Sequence, residues 1–310
     1  MKISVVMATY NGAEYLEEQL DTIRLQTREA DELIACDDGS TDDTVEVFRR
    51  YTEKYGLQDK WHITVNEKNL GYANNFNMVT LMATGDLIFF SDQDDLWNAE
   101  KIQTMTDIME QTPSCMVLCT DYEPYYTGEN APAAPKKVLD KMPNNGVLEK
   151  ISLSAKSVYI GALGCCMCVR REFYHSIREY WFDGWAQDDR MWRLAQCVDG
   201  CYILHSNLIK HRIHQNNTST FAKYHTVERR VRLFHAMLDA DCMMEKLLKD
   251  RCAASREIKQ IQKHIKMMRM RIDLLNRKRL GNCIPLVSYL GLYQEPKSYL
   301  VEIYIMLKKN

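Results

Sequence analysis

The chain has 310 residues, 46% hydrophobic and 26% charged, a balance that builds a sizeable core and excludes wholesale disorder. Its net charge of −2 hides an asymmetry: residues 245–280 carry twelve Lys/Arg against four Asp/Glu, about +8, which leaves the remainder near −10 and a poor surface for nucleic acid. The eleven cysteines lack the paired CxxC spacing of a zinc site and fit free thiols in a reducing cytoplasm.

In chain order, Ile3 to Met7 reads as a strand ended by the turn-forming Asn11-Gly12, and Ala13 to Gln26 as a helix with Leu16, Leu20 and Ile23 on one face. Leu33 to Cys36 repeats the strand signal, and DDGSTD (37–42) leads into a helix to about Tyr55. His62 to Val65 is a third strand, Asn69-Leu70-Gly71 opens a helix to about Ala83, and Asp86 to Phe90 is a fourth strand. This alternation predicts a mainly parallel sheet flanked by helices, with ligands off the carboxyl ends of the strands. Tyr122 to Gly146 reads as a long loop, Ile160 to Val169 as a strand, and Trp181 to Ala195 as a loop entering a helix. Beyond Thr220 the pattern is helical, with Ile258, Ile261, Ile265, Met268, Ile272 and Leu275 on one stripe. The longest uncharged stretch, 280–294, is broken by Pro285, and MKISVVMATYNG is too short for a signal segment, so a cytoplasmic chain without a membrane span is expected.

The run FFSDQDDLW (89–97) drives an apolar strand into three carboxylates. Like charges so close need water or a cation. A strand ending in Asp92-X-Asp94 puts alternate side chains on the same side, so the two carboxylates face one spot in the crevice and Gln93 points away. Hard oxygen donors of this kind suit Mn²⁺ or Mg²⁺, ions that commonly share their coordination with substrate phosphates.

The motifs ISVVMATYNG (3–12), DDGSTD, NEKNLG (66–71), SDQDDLW (91–97), the Gly164-Cys165 strand and RIHQNN (212–217) stand in this order and spacing. Together they resemble glycosyltransferase family 2 on a GT-A fold, and its bacterial rhamnosyltransferase-like polysaccharide branch in particular. The resemblance covers residues 1–217 as a catalytic domain and leaves 218–310 as a helical, basic extension. It implies an inverting, metal-dependent enzyme that moves a sugar from a UDP- or dTDP-sugar to a hydroxyl of a growing surface polysaccharide or lipid-linked glycan.

Carried over residue by residue, the resemblance makes Asp38 the acceptor for the imide N–H of uracil or thymine. Ala8, Thr9, Tyr10, Asn11, Gly71, Asn75 and Asp92 become the rest of the nucleotide-binding set. Asp94, with Asp92 and His214, is implied to hold the cation, Arg212 and His214 to face the diphosphate, and Asp95 is expected to cap the next helix. Gln187-Asp188 aligns with the family's acidic pair, so Asp188 is the candidate base and Asp189 its competitor. Gln187 departs from the pattern, because a neutral amide positions a hydroxyl but shares no proton. Trp181 and Trp185 are candidates for an apolar platform under the acceptor sugar, or for core packing.

The basic helical tail is expected to pack against the catalytic domain, to attach to an anionic membrane surface, or to mediate homo-oligomerisation. A nicotinamide dehydrogenase lacks support, since GxGxxG is absent after the first strand. A catalytically silent sugar-binding scaffold on the same fold is the alternative that Gln187 leaves open.

Overall fold

The computed structural model describes residues 1–128, 131–134, 136–140, 142–214 and 226–307. The end of RIHQNN from Gln215, and the 217/218 boundary, lie outside the described residues. The first half alternates as expected: β1 Ile3–Thr9, α1 Ala13–Arg24, β2 Glu32–Asp37, α2 Thr44–Tyr55, β3 Trp61–Val65, α3 Tyr72–Met82 and β4 Leu87–Ser91. There follow β5 Leu96–Trp97, α4 Lys101–Gln111, β6 Val117–Tyr126, α5 Lys136–Leu139, β7 Leu148–Lys150, β8 Met167–Arg170, α6 Arg171–Ser176, α7 Gln187–Gln196 and β9 Cys201–Ile213. The C-terminal helices are α8 Val227–Asp250, α9 Ser255–Asn276, α10 Cys283–Val287 and α11 Ser298–Leu307.

The strands form one mixed sheet in the order β3-β2-β1-β4-β8-β6-β9-β5, with β7 also on β9. The longer ladders, β3-β2-β1-β4 and β6-β9, are parallel, and the short ones around β8, β5 and β7 are antiparallel. β1 and β4 are buried on both faces, which is why they read as continuous apolar runs. Their side chains alternate between two cores: Val6, Ile88 and Phe90 meet α3, α7 and α8, whereas Val5, Met7, Leu87 and Phe89 meet α1, α2 and α4. Thr9 pairs with Asp37 and Met7 with Ser91, so β1, β2 and β4 end at one edge and their loops converge there.

Four expectations need correction. Tyr122 to Tyr126 is strand, not loop, because it pairs along β9 with Tyr125 opposite Arg212. Of the expected Ile160 to Val169 strand, only the part from Met167 on is strand, within β8 Met167–Arg170; Gly164–Cys166 is a 3₁₀ turn. There a Cβ at Gly161 would sit 2.9 Å from Trp192, so glycine lets this backbone lie flat on α7. The acidic motif lies in a bend after Ser91 and follows no strand alternation. Asp95 caps no helix: it is fully buried and accepts from the backbone N–H of Arg212 at 3.0 Å and from His211 Nδ1 at 2.9 Å.

The stripe of α9 is buried as its spacing predicts, with Ile258 partly covered. Ala240, Met244, Leu247, Ile261 and Ile265 join the same core as β4 and α7. Among the described residues no helix is long and apolar enough to cross a membrane.

Candidate functional site

The loop after β1 is fixed by its neighbours. Buried Asp37 accepts from Thr9 Oγ1 at 2.9 Å, from the N–H groups of Gly39 and Ser40, and from Ser40 Oγ, which closes the DDGS turn. Asn11 holds a left-handed φ of 48°, a conformation asparagine tolerates; its N–H donates to Ser40 Oγ and its Oδ1 accepts from Thr41 N–H, both at 2.8 Å. Gln93 does not point idly away: its Oε1 accepts from Tyr10 N–H at 2.8 Å and its Nε2 donates to Tyr10 C=O at 3.1 Å. A Cβ on Gly12 would lie 2.2 Å from the Gln93 amide, so glycine is what lets the two loops close together.

Asp38 is 3% exposed, and its carboxylate accepts from Asn66 Nδ2, Leu70 N–H and Gly71 N–H at 2.9, 2.7 and 2.8 Å. A carboxylate has about four acceptor directions, so one is left for a ligand. Gly71 supplies the left-handed φ of 77° that aims its N–H. Asn75 is buried and committed to the scaffold, donating to Cys36 C=O and accepting from Asn66 Nδ2. Two exposed rings, Tyr10 and Tyr72, stand over this end of the crevice.

At the acidic motif, Asp94 Oδ2 meets His214 Nε2 at 3.0 Å, and the His214 ring packs on Tyr15. Burial, then the charges of Asp95 and Asp94, push the Asp92 carboxyl up to about 8. Burial alone would lower His211, but the hydrogen bond and charge of Asp95, with the charge of Asp92, raise it to about 9. Burial works the other way on Asp95, where the His211 contact holds the carboxyl below its ordinary value. One excess carboxylate beside Asp94 and His214 is a donor set that a hard divalent cation fits. Among the described residues the trio with three donors within 4.8 Å of one another is instead Asp95, Cys165 and His211, and there Asp95 and His211 are already bonded to each other.

Arg212 does not line the crevice. Its guanidinium donates to Asp94 C=O at 2.7 Å and to Glu18 Oε2 at 2.6 Å, and stacks over Tyr15 and Tyr125. In this conformation it braces the acidic motif.

Helix α7 begins at Gln187, so Asp188 and Asp189 fall in its first turn, where carboxylates are favoured. Burial, and then the charge of Asp189, push Asp188 up to about 6. Asp189 itself is held by Arg193 Nε at 2.8 Å and Trp185 Nε1 at 2.8 Å, and it lies outside the crevice. Arg193 also donates to buried Asp241 at 3.1 Å; Asp241 bonds His264 Nδ1 at 2.6 Å, and His264 Nε2 meets Tyr159 Oη at 3.1 Å. The turn that carries Asp188 is thereby anchored to α8 and α9. Gln187 Oε1 is buried without a partner among the described residues, and a Cβ on Gly164 would lie 2.9 Å from Gln187 Nε2. Trp185 packs in the core, stacked on Phe182 at 4.8 Å, and Trp181 packs against that core; neither lines the crevice.

The crevice, about 750 Å³, brings together Ala8, Thr9, Tyr10, Asn11, Asp38, Gly71, Asn75, Asp92, Asp94, Gln187, Asp188 and His214. It leaves out Asp189, Arg212, Trp181 and Trp185, and adds Glu14, Tyr15, Tyr72 and His211. Tyr72 adjoins the NEKNLG motif and His211 adjoins RIHQNN, so adjacency was the signal available in the sequence for both.

A sheet edge that gathers loops and carboxylates around one cleft is the ligand-binding end expected of a mainly parallel α/β fold. The pattern of Glycosyl transferase family 2 matches residues 4–178, more than half of the chain, and the protein belongs to that family. An uncharacterised glycosyltransferase of Nostoc is 26% identical over 244 residues, 74% of this chain and 70% of its own. The putative glycosyltransferase EpsE of Bacillus subtilis is 29% identical over 48% of this chain, which spans about half (52%) of EpsE. The poly(ribitol-phosphate) β-N-acetylglucosaminyltransferase TarS of Staphylococcus aureus is 30% identical over 38% of this chain and 20% of TarS. Among solved structures, S. aureus TarS 1–349 with UDP-GlcNAc aligns at a TM-score of 0.64 and 16% identity, covering 94% of this chain and 92% of the other. The mannosyltransferase PcManGT of Pyrobaculum calidifontis, with GDP-Man and Mn²⁺, aligns at 0.55 and 16%, covering 98% and 85%. These likenesses establish the GT-A-like α/β fold with its C-terminal helices.

Proposed function

We propose that this chain transfers a sugar from a UDP- or dTDP-sugar to a hydroxyl of a growing surface polysaccharide or lipid-linked glycan, on the cytoplasmic side, with inversion at the anomeric carbon. The observation that carries the reading is one crevice holding the Asp38 and Tyr10 loops, the Asp92/Asp94 pair, and Asp188 with its carboxyl raised to about 6. A base poised near neutral pH matches the proton it must take.

The pyrimidine lies against Tyr10 and Tyr72, and its imide N–H uses the remaining acceptor direction of Asp38. Asp94, Asp92 and His214 would hold Mn²⁺ or Mg²⁺, which supplies positive charge to the leaving diphosphate. Gln187 Oε1, costly to bury alone at about 1–3 kcal/mol, accepts from a sugar hydroxyl and orients it. Asp188 accepts the proton of the attacking acceptor hydroxyl, which approaches from the face opposite the diphosphate. Asp189 and Trp185 position that turn of α7, and Arg212 holds the acidic motif. TarS, with its poly(ribitol-phosphate) acceptor and bound UDP-GlcNAc, supports a UDP-hexose and a polymer acceptor, while the motif resemblance supports a rhamnosyl-type sugar.

The test is nucleotide release from a panel of UDP- and dTDP-sugars by wild type, Asp94→Ala and Asp188→Asn, with folding verified. Turnover by wild type that Asp94→Ala abolishes and Asp188→Asn sharply reduces supports the transferase. Turnover that neither substitution reduces overturns the assignment of this site, and no turnover in a folded wild type that still binds sugar supports the silent scaffold.

A further inference from the structure

The four cations Arg256, Lys259, Lys263 and Lys266 recur at spacings of three, four and three along α9 and share one exposed face. None of their side chains makes an ion pair or hydrogen bond among the described residues. Together with Tyr289 and Leu292 from the following segment they line a shallow groove. That same segment is aliphatic on its outer side: Ile284 is 84% exposed, and Leu280 and Val287 are more than half exposed.

Helix α11 is tied to this segment, since Tyr299 Oη donates to Cys283 C=O at 2.9 Å on α10. The one charge between Ser298 and Leu307 is Glu302, which is fully buried and held by Arg271 at 2.6 Å and Arg230 at 3.5 Å. What α11 offers to solvent is therefore Leu300, Tyr304 and Leu307, each more than half exposed. A helix that turns its sole charge inward and its large apolar side chains outward has a covering partner.

We infer that residues 256–307 form a docking surface for an anionic lipid bilayer, with the α9 cations on the headgroups and Leu280, Ile284, Leu300, Tyr304 and Leu307 at the acyl boundary. Charge complementarity selects this occupant. A second copy of the chain would cover the aliphatic residues but would bring two rows of like charge together in a two-fold contact. A soluble anionic polymer would neutralise the cations and leave the aliphatic residues in water. Only an anionic interface satisfies both sets at once. The inference is independent of the proposed reaction, because binding is read without turnover.

The experiment is flotation of the full chain with vesicles of phosphatidylcholine alone and of phosphatidylcholine mixed with phosphatidylglycerol. Two variants at exposed positions accompany it: Lys259→Gln/Lys263→Gln/Lys266→Gln, and Ile284→Ser/Leu300→Ser/Tyr304→Ser. Wild type should bind only the mixed vesicles, and at low salt the triple-lysine change should weaken binding on the order of 100-fold. The aliphatic variant should weaken it at least tenfold and leave nucleotide release from the donor unchanged. Absence of binding to mixed vesicles overturns the proposal, as does an aliphatic variant that binds like wild type. A wild-type dimer that the aliphatic variant converts to monomer, with no vesicle binding, would assign the surface to a second copy. Lysine-dependent capture of soluble polyphosphate without vesicle binding would assign it to an anionic polymer.

Discussion

If Asp188 is the base, the pH dependence of the reaction follows from its surroundings. Burial and the Asp189 charge raise its carboxyl from 3.8 to about 6. The ionised form is the active one, so activity is retained above that value and lost as pH falls through it. A group titrating at about 6 is roughly 90% ionised at pH 7 and roughly 10% at pH 5, so kcat/KM should drop about tenfold between them. An aspartate at its ordinary value would lose less than about 10% over the same interval. The assay is initial-rate nucleotide release under saturating Mn²⁺, with protein refolded from each pH back to neutral as a control. Asp188→Asn should lower kcat/KM by about 10²- to 10⁴-fold and flatten the acid limb. Asp189→Asn removes a neighbouring negative charge, so the limb should move to lower pH. An acid limb near pH 4 in wild type, or one that survives in Asp188→Asn, refutes the assignment.

His211→Ala would leave Asp95 charged and buried without its partner, so unfolding in urea should show a loss of about 3–5 kcal/mol. Asp241→Ala leaves Arg193 with Asp189 as its carboxylate partner and removes the partner of His264 Nδ1, so a smaller loss, about 1.5–3 kcal/mol, is expected together with a fall in kcat because the α7 turn loses its anchor to α8 and α9. Gly12→Ala places a methyl 2.2 Å from the Gln93 amide and breaks its two bonds to Tyr10; calorimetry should show nucleotide affinity reduced about tenfold, with folding retained.

The parallel half of the fold was legible because β1, β2 and β4 are buried on both faces and end in polar loops, which makes both their apolar runs and their stops visible. The loops that line the crevice were legible for the same reason. Tyr122 to Tyr126 escaped because Glu123 and Pro124 break the apolar pattern, while what makes it strand is β9, whose partner residues (Glu123 with Lys210, Tyr126 with Ile213) lie far downstream in sequence. Asp95 looked like a cap because a helix follows it; the partner that decides its role, His211, lies 116 residues downstream. Trp185 and Asp189 were readable as site residues by position, but their mutual bond and the Arg193 contact turn them into supports. The basic count of the tail was plain in the sequence, whereas the inward turn of Glu302 that exposes an uncharged face on α11 depends on Arg271, on another helix.

The most direct test of a nucleotide-sugar site is a thermal-shift panel of the full chain with UDP, dTDP, GDP and CDP, each with and without Mn²⁺. A ligand that binds only the folded state raises Tm by mass action. A Mn²⁺-dependent rise is expected with UDP or dTDP, abolished by Asp94→Ala and not matched by GDP or CDP. No rise with any nucleotide in a folded protein, or a rise indifferent to both cation and Asp94, would contradict such a site.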